Sequence, residues 1–199
     1  MKSFYKIIIN YFFKLIYGDI SILNGNEKYR HINITYLKFY KKKLKLYSIE
    51  NGRVFTDCNT NVAYISKNKI IKNISYQQNK NKIADIKHNS TLVNGTNKFK
   101  KKYNGVVFSL VQGSSGNNYW HWLFDILPKI EILRKNKLIK EIDYFYLPDK
   151  SKYAVFMLST FGVKENKIID SFQYKHIEAN KILALEHIYY KKGFIHDQF

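Results

Sequence analysis

From Gly105 onward, short apolar runs alternate with stretches of helix length, and no other feature of the chain restricts its fold as strongly. Gly105-Val106-Val107-Phe108-Ser109-Leu110-Val111 reads as a buried strand, and a helix begins near Asn118. A strand at Tyr144-Phe145-Tyr146-Leu147, a helix from Lys152 to Phe161, a strand near Ile168-Ile169 and another over Lys181-Ile182-Leu183-Ala184-Leu185 continue the pattern. Strands joined through helices need crossover connections, so a parallel sheet is expected. Gly162, just after Thr160-Phe161, is a helix stop. Pro128 lacks the N–H that an inner helical turn requires. It must either kink the middle helix near Phe124 or open a new helical segment.

The first half has a different texture. Val54-Phe55-Thr56, Val62-Ala63-Tyr64-Ile65 and Ile70 to Tyr76 are β-branched or aromatic runs separated by polar turns, a meander of short antiparallel strands. Ile34 to Tyr47 mixes tyrosine, leucine and lysine and fits either helix or strand, with Lys41-Lys42-Lys43 as a turn or solvated face. Gln77 to Lys102 is polar, a long surface connection with room for one short helix. The expected class is α/β, a β-meander followed by an α/β lobe. Residues 1–48 form an N-terminal peripheral segment and 49–199 the lobe. No internal repeat and no proline- or glycine-rich linker divides them.

Phe4 to Tyr17 is strongly apolar, broken by Lys6, Asn10 and Lys14, and shorter than the ~20 residues of a membrane-spanning helix. No small-residue cleavage site follows it, which weakens a signal-peptide reading. Two readings stay open: a helix packed onto the body, or an interfacial helix with its lysines toward lipid phosphates.

The formal charge of +19 invites a nucleic-acid reading. Of the 34 basic residues, however, only Arg30, Arg53 and Arg134 are arginine, the residue that base readout and bidentate phosphate recognition favour. The lysines are spread among isoleucines and asparagines along the whole chain, the mark of A/T-rich coding. No specific nucleic-acid partner is expected, while an anionic membrane surface or a phosphate-bearing substrate suits the charge. The single cysteine, Cys58, excludes an internal disulfide and a cysteine-based zinc site and fits a reducing cytoplasm.

The chemistry concentrates after the strand at 105–111. Gly113, Ser114, Ser115, Gly116, Asn117 and Asn118 lie between a strand and a helix start, where backbone amides and hydroxyls suit an anion. Neither nucleotide-binding glycine fingerprint is present. Asn117 or Asn118 is the helix cap. His121, between Trp120 and Trp122, is followed one turn on by Asp125, and side chains four apart share a helix face. An aspartate among Trp122, Phe124, Ile126 and Leu127 is costly to bury without a partner. Either Asp125 orients His121, or one of the two takes a proton during reaction. Ser114 and Ser115 do not sit in a nucleophile elbow. His176, His187 and His196 are scattered, and no metal site is expected.

Gly113 to Lys129, with the strand before it and Tyr146-Leu147-Pro148 after it, resembles the glycosyltransferase family 61 pattern. That pattern is an asparagine and an aromatic, then His-Trp, then a hydrophobic-Asp-hydrophobic-Leu-Pro-basic run. The similarity extends over most of residues 50–190, through Phe161-Gly162-Val163 and the strand near Ile168. Many members of the family carry arginine where this chain has Lys129, so the charge is kept and the planar two-toothed donor is lost.

The resemblance implies a two-lobed, GT-B-like fold whose first lobe is Rossmann-like. It also implies transfer of a sugar from a nucleotide-sugar to a glycan acceptor without a metal or other cofactor, in cell-surface or capsular polysaccharide synthesis. Asp125 or His121 is then the base, with Ser114, Ser115, Gly116, Asn117, Asn118, Trp120 and Lys129 at the substrates. The family's second lobe has no counterpart in this sequence, which therefore reads as the N-terminal portion of such an enzyme. The expected location is cytoplasmic, with peripheral membrane contact through residues 4–17. The rival reading is a non-catalytic carbohydrate- or polyanion-binding domain or an inactive remnant.

Overall fold

The computed structural model describes residues 2–23, 30–79, 82–112 and 118–186. Helix α1 (Lys2–Tyr17) is followed by β1 (Ser21–Ile22), β2 (Ile32–Phe39) and β3 (Lys42–Thr56). The segment compatible with helix or strand is thus a hairpin, paired Leu37↔Leu44 and turning at Tyr40 with a positive φ of 51°. Leu37, Phe39, Leu44 and Leu46 alternate with polar residues and all bury into one core, which is the period of a strand. β3 runs unbroken through residues 48 and 49, so the sheet spans the divide between the two expected segments.

β4 (Asn61–Ser66), β5 (Lys69–Ile70) and β6 (Tyr76–Asn79) continue the antiparallel meander. The strand expected over Ile70 to Tyr76 is broken at its centre. Ile71 and Ile74 both bury, and the Ile74 and Ser75 amides bond to the Ile71 carbonyl in a turn that draws both isoleucines inward. β7 (Lys82–Ile83) and α2 (Ser90–Asn94) lie in the polar connection.

The second half alternates as expected: β8 (Lys101–Ser109), helix α3 (119–135), β9 (Tyr144–Leu147), α4 (Lys152–Thr160), β10 (Ile168–Asp170) and β11 (His176–Leu185). β8 pairs in parallel with β9 and with β11, and β9 with β10. β11 also pairs antiparallel with β3, which joins the halves into one mixed sheet of order β1-β5-β4-β3-β11-β8-β9-β10. The protein is a mixed α/β fold.

Side chains alternate across this sheet. Phe108, Phe145, Leu147, Leu183 and Leu185 meet Trp122, Ile126, Ile130, Leu133 and Leu158 of the two helices. Val107, Tyr146, Ile182 and Ala184 face the other way, against Tyr47, Val54, Val62 and Ile74. Helices therefore cover one face and the meander the other.

The meander reaches that face because the sheet coils. Tyr64 stands level with Lys101 through the ladder Tyr64↔Val54↔Ile177↔Lys101. Its hydroxyl nevertheless donates to the Val111 carbonyl at 3.1 Å. Ten residues of flat strand would separate those levels by roughly 30 Å. β8 and β11 shift register across Gly105, which adopts φ 118°. A side chain at Gly105 would also run into the Asp143 carboxylate, which accepts the Val106 amide.

α3 is three segments in one run. An α turn, Tyr119–His121, passes into a π-helical stretch, Trp122–Ile126, and then into Leu127–Lys135 with Pro128 in its first turn. The Leu127 amide bonds back five residues to Trp122. Pro128 offers no N–H to the turn before it, and the wider turn absorbs that missing bond without a break.

α4 ends as the sequence indicated. Gly162 has φ 77°, and the Val163 amide closes onto Leu158. A Cβ at Gly162 would meet nothing within 4 Å, so Gly162→Ala carries only the left-handed backbone penalty. A loss of about 1 kcal/mol in urea unfolding is expected, with the unfolding slope unchanged.

Candidate functional site

The strand order reverses at β8: the chain passes from β8 to β9 to β10 on one side, then returns to β11 on the other. In open α/β sheets the crevice beyond the carboxyl ends at such a point is where ligands bind. Beyond β8 lie Leu110, Val111 and Gln112, all buried. The segment Gly113, Ser114, Ser115, Gly116 and Asn117 falls outside the described residues.

Asn118 takes up the chain as the cap of α3, its Oδ1 accepting the His121 amide at 3.3 Å. The cap fixes where the helix starts, and the start decides which face each residue takes. Trp120 and Trp122 diverge accordingly. Trp122 is wholly buried, its indole N–H on Met157 Sδ, while Trp120 is 54% exposed with its ring edge-on to His121. Tyr119 is also about half exposed and packs on Tyr153.

His121 Nδ1 and Asp125 Oδ2 lie 2.6 Å apart. The histidine side chain is 21% exposed and the aspartate 8%. An ionised carboxylate at this distance accepts the Nδ1–H, which fixes the neutral tautomer whose lone pair sits on Nε2. It also stabilises the imidazolium once the ring takes a proton. Their geometry is that of a hydrogen-bonded histidine–carboxylate pair.

Lys129 continues the same stripe one turn on, at the spacing that already separates His121 from Asp125. It is buried, and its Nζ donates to Gln112 Oε1 at 2.7 Å rather than reaching solvent. Burial lowers its pKa to about 8, and the Asp125 carboxylate works in the opposite direction. The lysine thereby ties α3 to the residue immediately before the glycine–serine segment.

No family model matches the chain, and neither a curated protein nor a solved structure matches it.

Of the residues singled out in the sequence, Asn118, Trp120, His121, Asp125 and Lys129 thus share the first turns of one helix. Ser114, Ser115, Gly116 and Asn117 lie outside the described residues, as do His187 and His196. His176 is apart from the group, buried at the start of β11. Among the described residues no cluster of three or more His, Cys, Asp or Glu side chains gathers.

Three residues were not foreseen. Gln112 holds Lys129. Asp149, buried just beyond β9, accepts the Ser151 amide at 2.9 Å. Tyr153 of α4 places its hydroxyl 3.5 Å from the Asp149 carboxylate and its ring against Tyr119 and Trp122. Asp149 was legible in principle, as the first acidic residue past a strand of a parallel sheet, where polar groups collect.

Two grooves, of 710 Å³ and 510 Å³, are lined by other residues. The first lies among Arg134, Lys140, Phe145 and Lys167, the second among Asn73, Gln77 and Asp85.

Proposed function

We propose that the chain carries a glycosyl-transfer site in which His121 is the base and Asp125 its orienting group. The observation that carries this reading is the 2.6 Å contact between His121 Nδ1 and Asp125 Oδ2, beyond the strand where the sheet order reverses. Its neighbourhood supports it, since exposed Trp120 and Tyr119 offer flat apolar faces of the kind that stack on sugar rings. In this reading β8 to β11 with their helices form a Rossmann-like lobe of a two-lobed transferase. The donor is a nucleotide-sugar and the acceptor a glycan, in polysaccharide synthesis on the cytoplasmic side of a membrane.

The acceptor hydroxyl loses its proton to His121 Nε2 as its oxygen bonds to the anomeric carbon. The bond from that carbon to the diphosphate breaks, its electron pair leaving with the nucleoside diphosphate. Asp125 steadies the imidazolium formed. Ser114, Ser115, Gly116 and Asn117 are assigned to the diphosphate through the resemblance to family 61.

Trp120 and Trp122 are the two tryptophans of the chain, so fluorescence reads the site directly. The test is titration of the full chain with a panel of nucleotide-sugars, followed by transfer of label to glycan acceptors. Quenching that disappears in Trp120→Phe, together with label transfer, is the expected result. The same exposed rings also favour a non-catalytic carbohydrate-binding surface. Quenching by glycans but by no nucleotide-sugar, with no transfer, would establish that alternative and overturn the first.

A further inference from the structure

Helix α1 is attached to the protein by the wrong face for a core helix. At about 100° per residue, Asn10, Phe13 and Tyr17 fall on one side, together with Lys6. Of these, Asn10, Phe13 and Tyr17 dock, while Lys6 stays exposed. Asn10 bonds to Asn94 and Asn97, Phe13 packs on Phe99 with centroids 5.0 Å apart, and the Tyr17 hydroxyl accepts the Lys100 amide at 3.0 Å. Opposite them, nine large apolar side chains between Phe4 and Ile16 are 46–70% exposed. They fill an arc of roughly 200° centred near Ile8 and Leu15, bounded by Ile7 and Ile9. Together they expose on the order of 1,000 Å², above the few hundred of the largest patch on an ordinary monomer.

We propose that this outward arc is an interfacial docking face for an anionic lipid bilayer. The inference goes beyond the sugar-transfer reading and does not depend on it. Length supports lying in the surface rather than crossing it: 16 residues make a rod of about 24 Å, and no helix among the described residues is long and apolar enough to span.

Charge supports anionic lipid as the occupant. Phe99, exposed and touching Phe12, extends the apolar surface onto the body of the protein. It is embedded in Lys98-Phe99-Lys100-Lys101-Lys102, and Lys98, Lys101 and Lys102 are all exposed. An apolar surface that continues through Phe99 into this lysine-rich segment, on a chain of formal charge +19, suits acyl chains below and phosphates around, although Lys102 also pairs with Glu178 at 3.5 Å. The exposed tyrosines Tyr5 and Tyr11 are of the amphipathic type that settles at the headgroup level.

The experiment is co-sedimentation of the full chain with vesicles of phosphatidylcholine containing roughly one-third phosphatidylglycerol. Binding is expected, weaker by several-fold on phosphatidylcholine alone and reduced but not lost in high salt. Ile8→Asp with Leu15→Asp should lower the apparent partition at least about tenfold. The melting temperature should hold, because both side chains are already exposed. Lys98→Glu with Lys101→Glu should remove the preference for phosphatidylglycerol and leave the residual affinity. Wild-type protein that stays folded in the supernatant with both vesicle types overturns the proposal. So does a dimer in sedimentation equilibrium that the Asp pair dissociates without any vesicle binding, since the arc would then belong to a second copy.

Discussion

Asp125→Asn is expected to lower the turnover of sugar transfer by roughly 10²- to 10⁴-fold, the range over which a positioned base contributes. His121→Ala should fall in the same range. Nucleotide-sugar affinity, read from Trp120 fluorescence, should stay within a few-fold of wild type in both. The split follows from what each group does. In the proposed mechanism the carboxylate fixes the imidazole tautomer and meets the charge that appears when Nε2 takes a proton. Asparagine fills the same volume but can offer Nδ1 a donor instead of an acceptor, and it carries no charge to match an imidazolium. Because the two residues act as a unit, the double variant should be little worse than either single one. A merely structural aspartate would give another pattern: lower melting temperature, weaker binding, and recovery of turnover at low temperature. Full turnover in both single variants would sink the assignment.

The i,i+4 spacing that carries this prediction was visible in the residues themselves, because a helix maps sequence distance onto a face. The same holds for β9, where Tyr144-Phe145-Tyr146-Leu147 is too apolar and aromatic to be anything but a buried strand. What escaped depends on partners distant in sequence. β8 begins at Lys101 and β11 at His176, well before their apolar runs, because each polar half pairs with the other. Exposed lysines at those positions read as a surface loop until the partner strand is known. The π-helical turn at Trp122–Ile126 needed more than a noticed Pro128, since the wider turn is one of several ways to lose a single bond. Gln112 is a partner of Lys129, and Tyr64 of Val111, across 17 and 47 residues, separations that no local pattern reveals. The existence of α1 could be read from Phe4 to Tyr17. Its orientation could not, because only the contacts of Asn10, Phe13 and Tyr17 reveal which face is docked.

Acidification from pH 7 to pH 4 is expected to reduce folding stability by about 3 kcal/mol through His176 alone. The ring is fully buried, with Tyr17 and Phe55 edge-on at 5.0 Å and 5.6 Å. Nδ1–H donates to the Lys98 carbonyl at 2.9 Å, and Nε2 is buried with no hydrogen-bond partner. A proton on Nε2 would therefore create an unsatisfied donor and a charge among aromatic rings. Burial lowers the pKa to about 4, with Arg53 and Lys100 adding to the depression. The Lys98 carbonyl and Glu178 oppose it.

The unfolded chain keeps an ordinary histidine pKa near 6.5, so between that value and about 4 it binds more protons than the folded one. Stability then falls as pH drops through this window and levels off below it. Burial pushes the Glu178 pKa up, but its hydrogen bond and charge contacts with Lys100 and with Lys102 lower it overall, so its contribution is lost as pH falls from the ordinary carboxylate value of 4.5 downward. The two windows separate above about pH 5. His176→Asn retains a donor for the Lys98 carbonyl and cannot titrate. Urea midpoints measured at steps from pH 7 to about pH 5, above the carboxylate window, should decline in wild type and stay flat in the variant, at a level lowered by the lost ring packing. Equal slopes in the two proteins would place the acid sensitivity elsewhere. Since Tyr17 rests on this ring, the wild-type decline should begin with loss of protection in α1, read by hydrogen exchange of the Lys14 to Gly18 amides.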